Sequence, residues 1–241
     1  MNGQDGVTFN DIFELRTGFM EWVSLSCADT PPRNSHSAVL DGDTMLIIGG
    51  ASPDGQTDDV FAVDLSDRSN LNCVQVSCHQ SESGACVVQS DGVGGVPAAR
   101  DMHSACVYSS ELTGGAGATI LLMGGRSSAG VLQDLFSLNT DTWSWKRLKD
   151  APVARCAHSA CFLEDAGIMV IHGGWDGGTL VADDLHLYDV RSGEWTTPSV
   201  LPRPMGRFAH ATCTGGGNSL LVFGGVNPHE DLTDVVVLTA A

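Results

Sequence analysis

Short apolar runs alternate along the chain with polar, glycine-rich breaks, and the same order of pieces returns four times. Met45 to Ile48, Ile120 to Met123, Ile168 to Ile171 and Leu220 to Phe223 are aliphatic runs of strand length. Each closes on a glycine pair: Gly49-Gly50, Gly124-Gly125, Gly173-Gly174 and Gly224-Gly225. An acidic residue, Asp59, Asp134, Asp184 or Asp234, then opens a further apolar run. In Asp184-Leu185-His186-Leu187-Tyr188-Asp189 that run alternates, which predicts a strand burying Leu185 and Leu187 while His186 points away. A tight turn and a Trp follow, as in Ser192-Gly193-Glu194-Trp195 and Asn139-Thr140-Asp141-Thr142-Trp143. No window carries a long helical period. The pattern predicts units of four short antiparallel strands joined by hairpins.

Each unit has the same preface of Pro, Arg and His: Pro32, Arg33 and His36; Pro97, Arg100 and His103; Pro152, Arg155 and His158; Pro204, Arg207 and His210. A fixed order recurring at roughly 50 residues marks an array of one supersecondary unit. A single four-stranded sheet cannot bury both of its apolar faces, so neighbouring sheets stack around an axis, which predicts an all-β propeller of four-stranded antiparallel blades. The glycine pairs fit where the second strand approaches neighbouring backbone and turns with positive φ. In its glycine pair, following aspartate and terminal Trp the chain resembles the kelch family, over residues 10 to 238.

On this reading residues 1–241 form one kelch domain, with a half-blade at 8–26, a blade at 32–77, an insertion at 78–96, blades at 97–148 and 152–198, and a partial blade at 204–239. The half-blade rests on Asp11-Ile12-Phe13-Glu14-Leu15, the turn Arg16-Thr17-Gly18 and Trp22, which read as a third and fourth strand. Asp234-Val235-Val236-Val237-Leu238 reads as a third strand without a fourth. Kelch relatives close the ring by letting one terminus complete the blade begun by the other. Here the two ends do not add up to one blade, so the expectation is a piece of a longer propeller whose open arc would self-associate.

The formal charge of −17, from 29 acidic and 12 basic residues, disfavours a nucleic-acid or anionic-membrane surface and leaves a weak preference for a basic partner. Asp58, Asp59, Asp134, Asp183 and Asp184 sit at repeat positions, where they are expected to satisfy backbone amides at strand starts. Met1 to Thr8 is polar and Ile12 to Leu15 too short for a signal core, and the eight cysteines are dispersed. A reducing cytoplasmic or nuclear compartment is the expectation.

His-x-x-Cys occurs three times, in His103 and Cys106, His158 and Cys161, His210 and Cys213. Residues three apart on a strand point to opposite faces, and the first copy has Val39 in the Cys slot, so packing rather than metal binding is expected. No metal or cofactor is expected. Cys73, Cys78, His79 and Cys86 fall in or beside the insertion without zinc-ligand spacing, and a surface loop is the reading there. The recurring arginines Arg33, Arg100, Arg155 and Arg207 lie near the channel mouth. They either brace an adjacent acid or carbonyl, the favoured reading, or present bidentate donors to a partner carboxylate or phosphate.

Residues that differ between copies are better candidates for recognition than those that repeat. Just before each His stand Asn34-Ser35, Asp101-Met102, Cys156-Ala157 and Phe208-Ala209; just after each glycine pair begin loops at Ala51, Arg126, Trp175 and Val226. The partner-binding candidates are Trp175, Arg126, Asp176, Ser35, Met102 and Phe208, together with the four arginines. Trp and Arg lead because they dominate interface energetics. No Gly-x-Ser-x-Gly elbow, phosphate loop or His-Glu-x-x-His run is present. The resemblance implies a non-catalytic adaptor, effector or substrate-receptor propeller that binds a protein or peptide through the loop face around the central channel. Two alternatives stand beside it: a catalytic kelch-like propeller, metal-dependent or sugar-modifying, and the propeller part of a larger enzyme such as a tRNA-modifying methyltransferase fusion.

Overall fold

The computed structural model describes residues 8–27, 30–80, 95–178, 182–199, 204–215 and 219–239. Its strands run, in chain order, β1 (Ile12–Arg16), β2 (Glu21–Leu25), β3 (Ser37–Asp41), β4 (Thr44–Ser52), β5 (Gly55–Asp64), β6 (Asn72–Val76) and β7 (His79–Gln80). There follow β8 (Ser104–Ser109), β9 (Ala118–Met123), the short β10 (Arg126–Ser127) and β11 (Gly130–Val131), β12 (Leu135–Asn139) and β13 (Ser144–Arg147). The last are β14 (Ser159–Leu163), β15 (Ile168–His172), β16 (Leu185–Asp189), β17 (Glu194–Thr196), β18 (Ala211–Thr214), β19 (Ser219–Phe223) and β20 (Val235–Thr239). One 3-10 turn, Ser110–Thr113, separates β8 from β9. No helix among the described residues is long and apolar enough to cross a membrane.

The sheets are antiparallel blades in sequence order: β3-β4-β5-β6, then β8-β9-β12-β13, then β14-β15-β16-β17, then the three-stranded β18-β19-β20. The hairpin β1-β2 forms its own sheet and packs Ile12, Val23 and Leu25 against Ile47, Phe61 and Val63 of the first blade. Innermost strands β3, β8, β14 and β18 contact one another in that order, which places the blades around one axis as a propeller. An apolar cluster fills each joint. Leu46, Ile48 and Val60 meet Ile120, Leu122 and Phe136 between the first two blades, for example, and Met123 and Leu135 meet Met169 and Ile171 at the next.

Both faces of an inner blade are thus covered, which overturns one expectation from the alternating pattern. His186 does not point to solvent but is 3 % exposed, because the face opposite Leu185 packs on protein as well. Alternation separates core from solvent only where one face of a sheet meets water.

Two further readings change. The Trp that ends the second blade is Trp145, not Trp143: it pairs with Leu138 as Trp195 pairs with Tyr188 and Trp22 with Leu15. Trp143 sits instead in the turn at φ 53, where the next copy has Gly193 at φ 72 and the half-blade has Met20 at φ 52. The region after Val76 is more than a loop, since β7 adds a parallel fifth strand to the second blade, His79 opposite Ser144 and Gln80 opposite Trp145. Cys86 lies outside the described residues.

The glycine pairs stand where two joints meet. Gly50, at φ 99, donates its N–H to Arg100 O of the next blade (2.8 Å), and a Cβ there would come within 2.7 Å of Asn34 O. Gly125 and Gly174 repeat the bond to Arg155 O (2.9 Å) and Arg207 O (2.8 Å). Only glycine combines that φ with that approach.

Candidate functional site

The preface of each repeat assembles a node at one end of the blade. Arg100 is 1 % exposed; its Nη1 and Nη2 donate to both carboxylate oxygens of Asp134 (2.6 and 2.8 Å), Nη1 also to Gly124 O (3.0 Å), and Nε to Ala98 O (3.0 Å). Arg33 makes the same set with Asp59, Gly49 O and Pro31 O, and Arg207 with Asp234, Gly224 O and Met205 O. Arg33 and Arg100 also lie over the rings of Phe61 and Phe136, 4.9 and 5.6 Å from their centroids. Asp59, Asp134 and Asp234 therefore receive guanidinium groups, where backbone amides were expected at the strand starts. These arginines are buried and committed within their own blades, which is the bracing arrangement and leaves no guanidinium edge at the surface.

The third blade departs from this plan. Arg155 keeps Gly173 O (2.8 Å) but touches Asp184 through Nη1 alone, at 3.2 Å, and its buried Nε and Nη2 have no hydrogen-bond partner among the described residues. The second oxygen of Asp184 is held by His186 Nε2 (2.9 Å), whose Nδ1 meets Thr197 Oγ1 (2.8 Å). His186 occupies the slot filled by Phe61 and Phe136 in the first two blades. The His186 hydrogen bond, with the charge of Arg155 behind it, holds the Asp184 carboxyl well below its ordinary range despite burial.

The repeated histidines link blade to blade. His103 Nε2 bonds Ser37 Oγ (2.8 Å), His158 Nε2 bonds Ser104 Oγ (2.7 Å) and His210 Nε2 bonds Ser159 Oγ (2.7 Å), in each case reaching back to the preceding blade. Burial, reinforced for His103 by Arg100, lowers the pKa of His103 and of His210 to about 3, and His158 is lowered for the same first reason. All three are neutral at physiological pH, and each ring has backbone hydrogen bonding beside the Ser hydroxyl, from Ile48, Arg155 and His172 in turn. Two of the three repeat cysteines behave as packing groups: Cys106 and Cys161 are buried, and burial pushes the Cys161 thiol up to about 12, whereas Cys213 on β18 is exposed and departs from that expectation. Among the described residues no three His, Cys, Asp or Glu side chains are placed to hold a metal ion.

Around the channel mouth, the residue preceding each His adopts positive φ without being glycine: Ser35 at 53, Met102 at 55, Ala157 at 51 and Ala209 at 54. The reason is a chain of bonds crossing the joints, Met102 N to Ser35 O (2.9 Å), Ala157 N to Met102 O (2.8 Å) and Ala209 N to Ala157 O (2.8 Å). Ser35 and Met102 thus contribute backbone to this inner ring. The residue before each of them forms a two-residue bridge with the residue after the glycine pair: Asn34 with Ala51, Asp101 with Arg126, Cys156 with Trp175 and Phe208 with Val226. Both sets of copy-specific residues therefore meet on one rim.

That rim is tied together. Arg126 pairs with Asp101 through Nη2 (2.9 Å) and Nε (3.2 Å) while its side chain stays 44 % exposed. Gln56 of the first blade donates to Arg126 O (2.9 Å), and a Cβ on Gly177 would come within 2.8 Å of Val131 in the second blade's loop. Trp175 is half-buried and its indole N–H donates to Gly178 O (2.9 Å), so the ring covers its own turn and keeps part of its surface open; Asp176 caps that turn by accepting from Gly178 N (2.8 Å). Phe208 is half-buried. Exposed acids Asp54, Asp58, Asp176, Glu230 and Asp231 stand in these loops.

Repeated four-stranded blades, inter-blade His–Ser links and buried Arg–Asp nodes define a kelch-type β-propeller. The KLHDC2/KLHL20/DRC7 Kelch-repeats domain matches residues 86–241, and the chain belongs to this kelch-repeat family. It is 27 % identical over 211 residues to Adagio-like protein 1 of Oryza sativa subsp. japonica, covering 85 % of this chain and 30 % of that protein. Host cell factor 1 of Homo sapiens is 26 % identical over 211 residues, covering 80 % and 9 %, and human Kelch domain-containing protein 1 is 30 % identical over 108 residues, covering 43 % and 26 %. The chain spans less than a third of the length of each of these relatives.

Proposed function

We propose that this chain is a non-catalytic protein-interaction propeller that takes its partner on the rim around the channel mouth, through Trp175, Arg126 and the neighbouring copy-specific residues. The observation that carries the reading is the convergence of unrepeated side chains on one rigid edge, while the repeated Arg, Asp and His residues are consumed in holding the blades. Loops fixed by a scaffold are where recognition groups accumulate. Charge favours a basic segment in the partner, since Arg126 is already paired with Asp101 and the surrounding exposed groups are acidic. A reducing compartment belongs to the same proposal; the seven described cysteines carry free thiols. The test is a pulldown from cell lysate with the chain and its W175A and R126A variants, read by mass spectrometry. Loss of the same proteins from both variants, with thermal unfolding unchanged, supports the rim; full recovery of every partner by both sinks it.

A further inference from the structure

The chain has two tyrosines, Tyr108 and Tyr188, and neither occupies a repeat position: the matching slots hold Asp41 and Leu163, and Val63 and Leu138, in other blades. They stand on opposite sides of the joint between the second and third blades, at the end of the blades away from the glycine pairs. Both rings are buried, at 6 % and 3 % exposure, Tyr108 stacked on Phe162 and Tyr188 tilted on Trp195, each with centroids 5.0 Å apart. Neither hydroxyl has a hydrogen-bond partner among the described residues, yet both line one cleft of about 330 Å³. A buried phenol ordinarily satisfies its O–H, so two left open on one cavity call for a ligand or solvent there.

Strand register explains the rest of the cleft. Tyr108 pairs with Thr119, Thr119 with Asn139 and Asn139 with Ser144, so one row crosses all four strands of the second blade. The next row on that face supplies Ser137 and Lys146, while Leu148 and Val190 give an apolar flank. The groups left to spare are donors. The Asn139 carbonyl oxygen already accepts from Asp141 N and Thr142 N, which leaves its amide N–H groups; the exposed Lys146 ammonium makes no ion pair among the described residues. Two carboxylates act on the Tyr188 hydroxyl, Glu194, which pairs with Lys149, and Asp189, whose Oδ1 accepts from the backbone N–H groups of Arg191 and Ser192. We propose that this cleft is a binding site for a small ligand bearing an oxyanion, of the phosphate-monoester class, whose charge is met by Lys146 and whose oxygens accept from Tyr108, Tyr188 and Asn139. Burial holds the Tyr188 hydroxyl up to about 12, so it remains a donor throughout the neutral range.

The site is on the face opposite the partner rim and stands independently of it. Phenyl phosphate and inorganic phosphate are the probes, titrated calorimetrically at low ionic strength. Saturable binding of phenyl phosphate is expected, weakened about ten-fold by Y108F and by Y188F, each of which keeps its buried ring, because a hydrogen bond to a charged group is lost. K146Q should weaken it and flatten its salt dependence, whereas W175A should leave it unchanged. Amide shifts on titration of the isotopically labelled chain should map to Thr119, Asn139 and Val190. No saturable binding of either probe at about 10 mM, or unaltered binding by the Y108F/Y188F double variant with native near-ultraviolet dichroism, overturns the proposal.

Discussion

The arginine nodes of the second and third blades start from the same sequence order and end in different chemistry. In the second blade Arg100 grips both oxygens of Asp134 and lies over Phe136, and every N–H edge of the guanidinium that faces protein is used. In the third, one residue two places past the acid has changed from Phe to His. Asp184 is drawn to His186, and Arg155 is left in a buried setting with Nε and Nη2 unpaired among the described residues. The comparison teaches that a repeat position is held by its neighbours as much as by its own identity: Arg and Asp are present in both copies, but the third member decides how they pair.

The largest effect should come from removing the regular node. Arg100→Ala strands Asp134 against a buried joint and is expected to cost about 3–5 kcal/mol by chemical denaturation, whereas Arg155→Ala should cost less than half as much, because Asp184 keeps His186. Equal losses would erase the distinction. A titration of stability with pH gives the next effect. The three inter-blade histidines have folded pKa values below the ordinary value of about 6.5, so below that pH the unfolded chain takes up protons that the native joints refuse. Unfolding free energy should fall as pH drops from about 6.5 towards about 3, with the depressed carboxyls of Asp184 and Asp234 adding their loss below about 4. H103Q should flatten the first limb; an unaffected profile would mean that the joints do not sense this proton. Smaller still is repair of the third node. His186→Phe should return Asp184 to both edges of Arg155 and raise stability by about 1 kcal/mol; a loss of that size would show that the His186 arrangement is the better one. Smallest, W175A and R126A should each shift stability by about 1 kcal/mol or less, since both side chains project from the rim rather than filling a joint.

Much of the fold was legible because it is written in spacing. Glycine pairs at the ends of aliphatic runs, an acid before the next run and a Trp after a turn each answer a local demand, for positive φ, for a counterion or for ring burial. The site was less legible. The convergence of Asn34, Asp101, Cys156 and Phe208 on Ala51, Arg126, Trp175 and Val226 follows from the repeat, and the variation between copies marked it. Burial of His186 was not readable, since a period of two does not say how many faces are covered. The tyrosine cleft was missed altogether: Tyr108 and Tyr188 lie 80 residues apart, in slots of different strands, and only their departure from the repeat could have singled them out.

By itself the sequence determined the blade, its strand order and the residues that hold it, because each of those rests on contacts between chain neighbours or on a pattern repeated often enough to be recognised. Tertiary structure alone decided which groups face each other across a joint. Blade packing brings His103 to Ser37, His158 to Ser104, and Tyr188 to the row begun by Tyr108, and such pairings depend on the rotation and register of one rigid sheet against the next, which no local preference encodes.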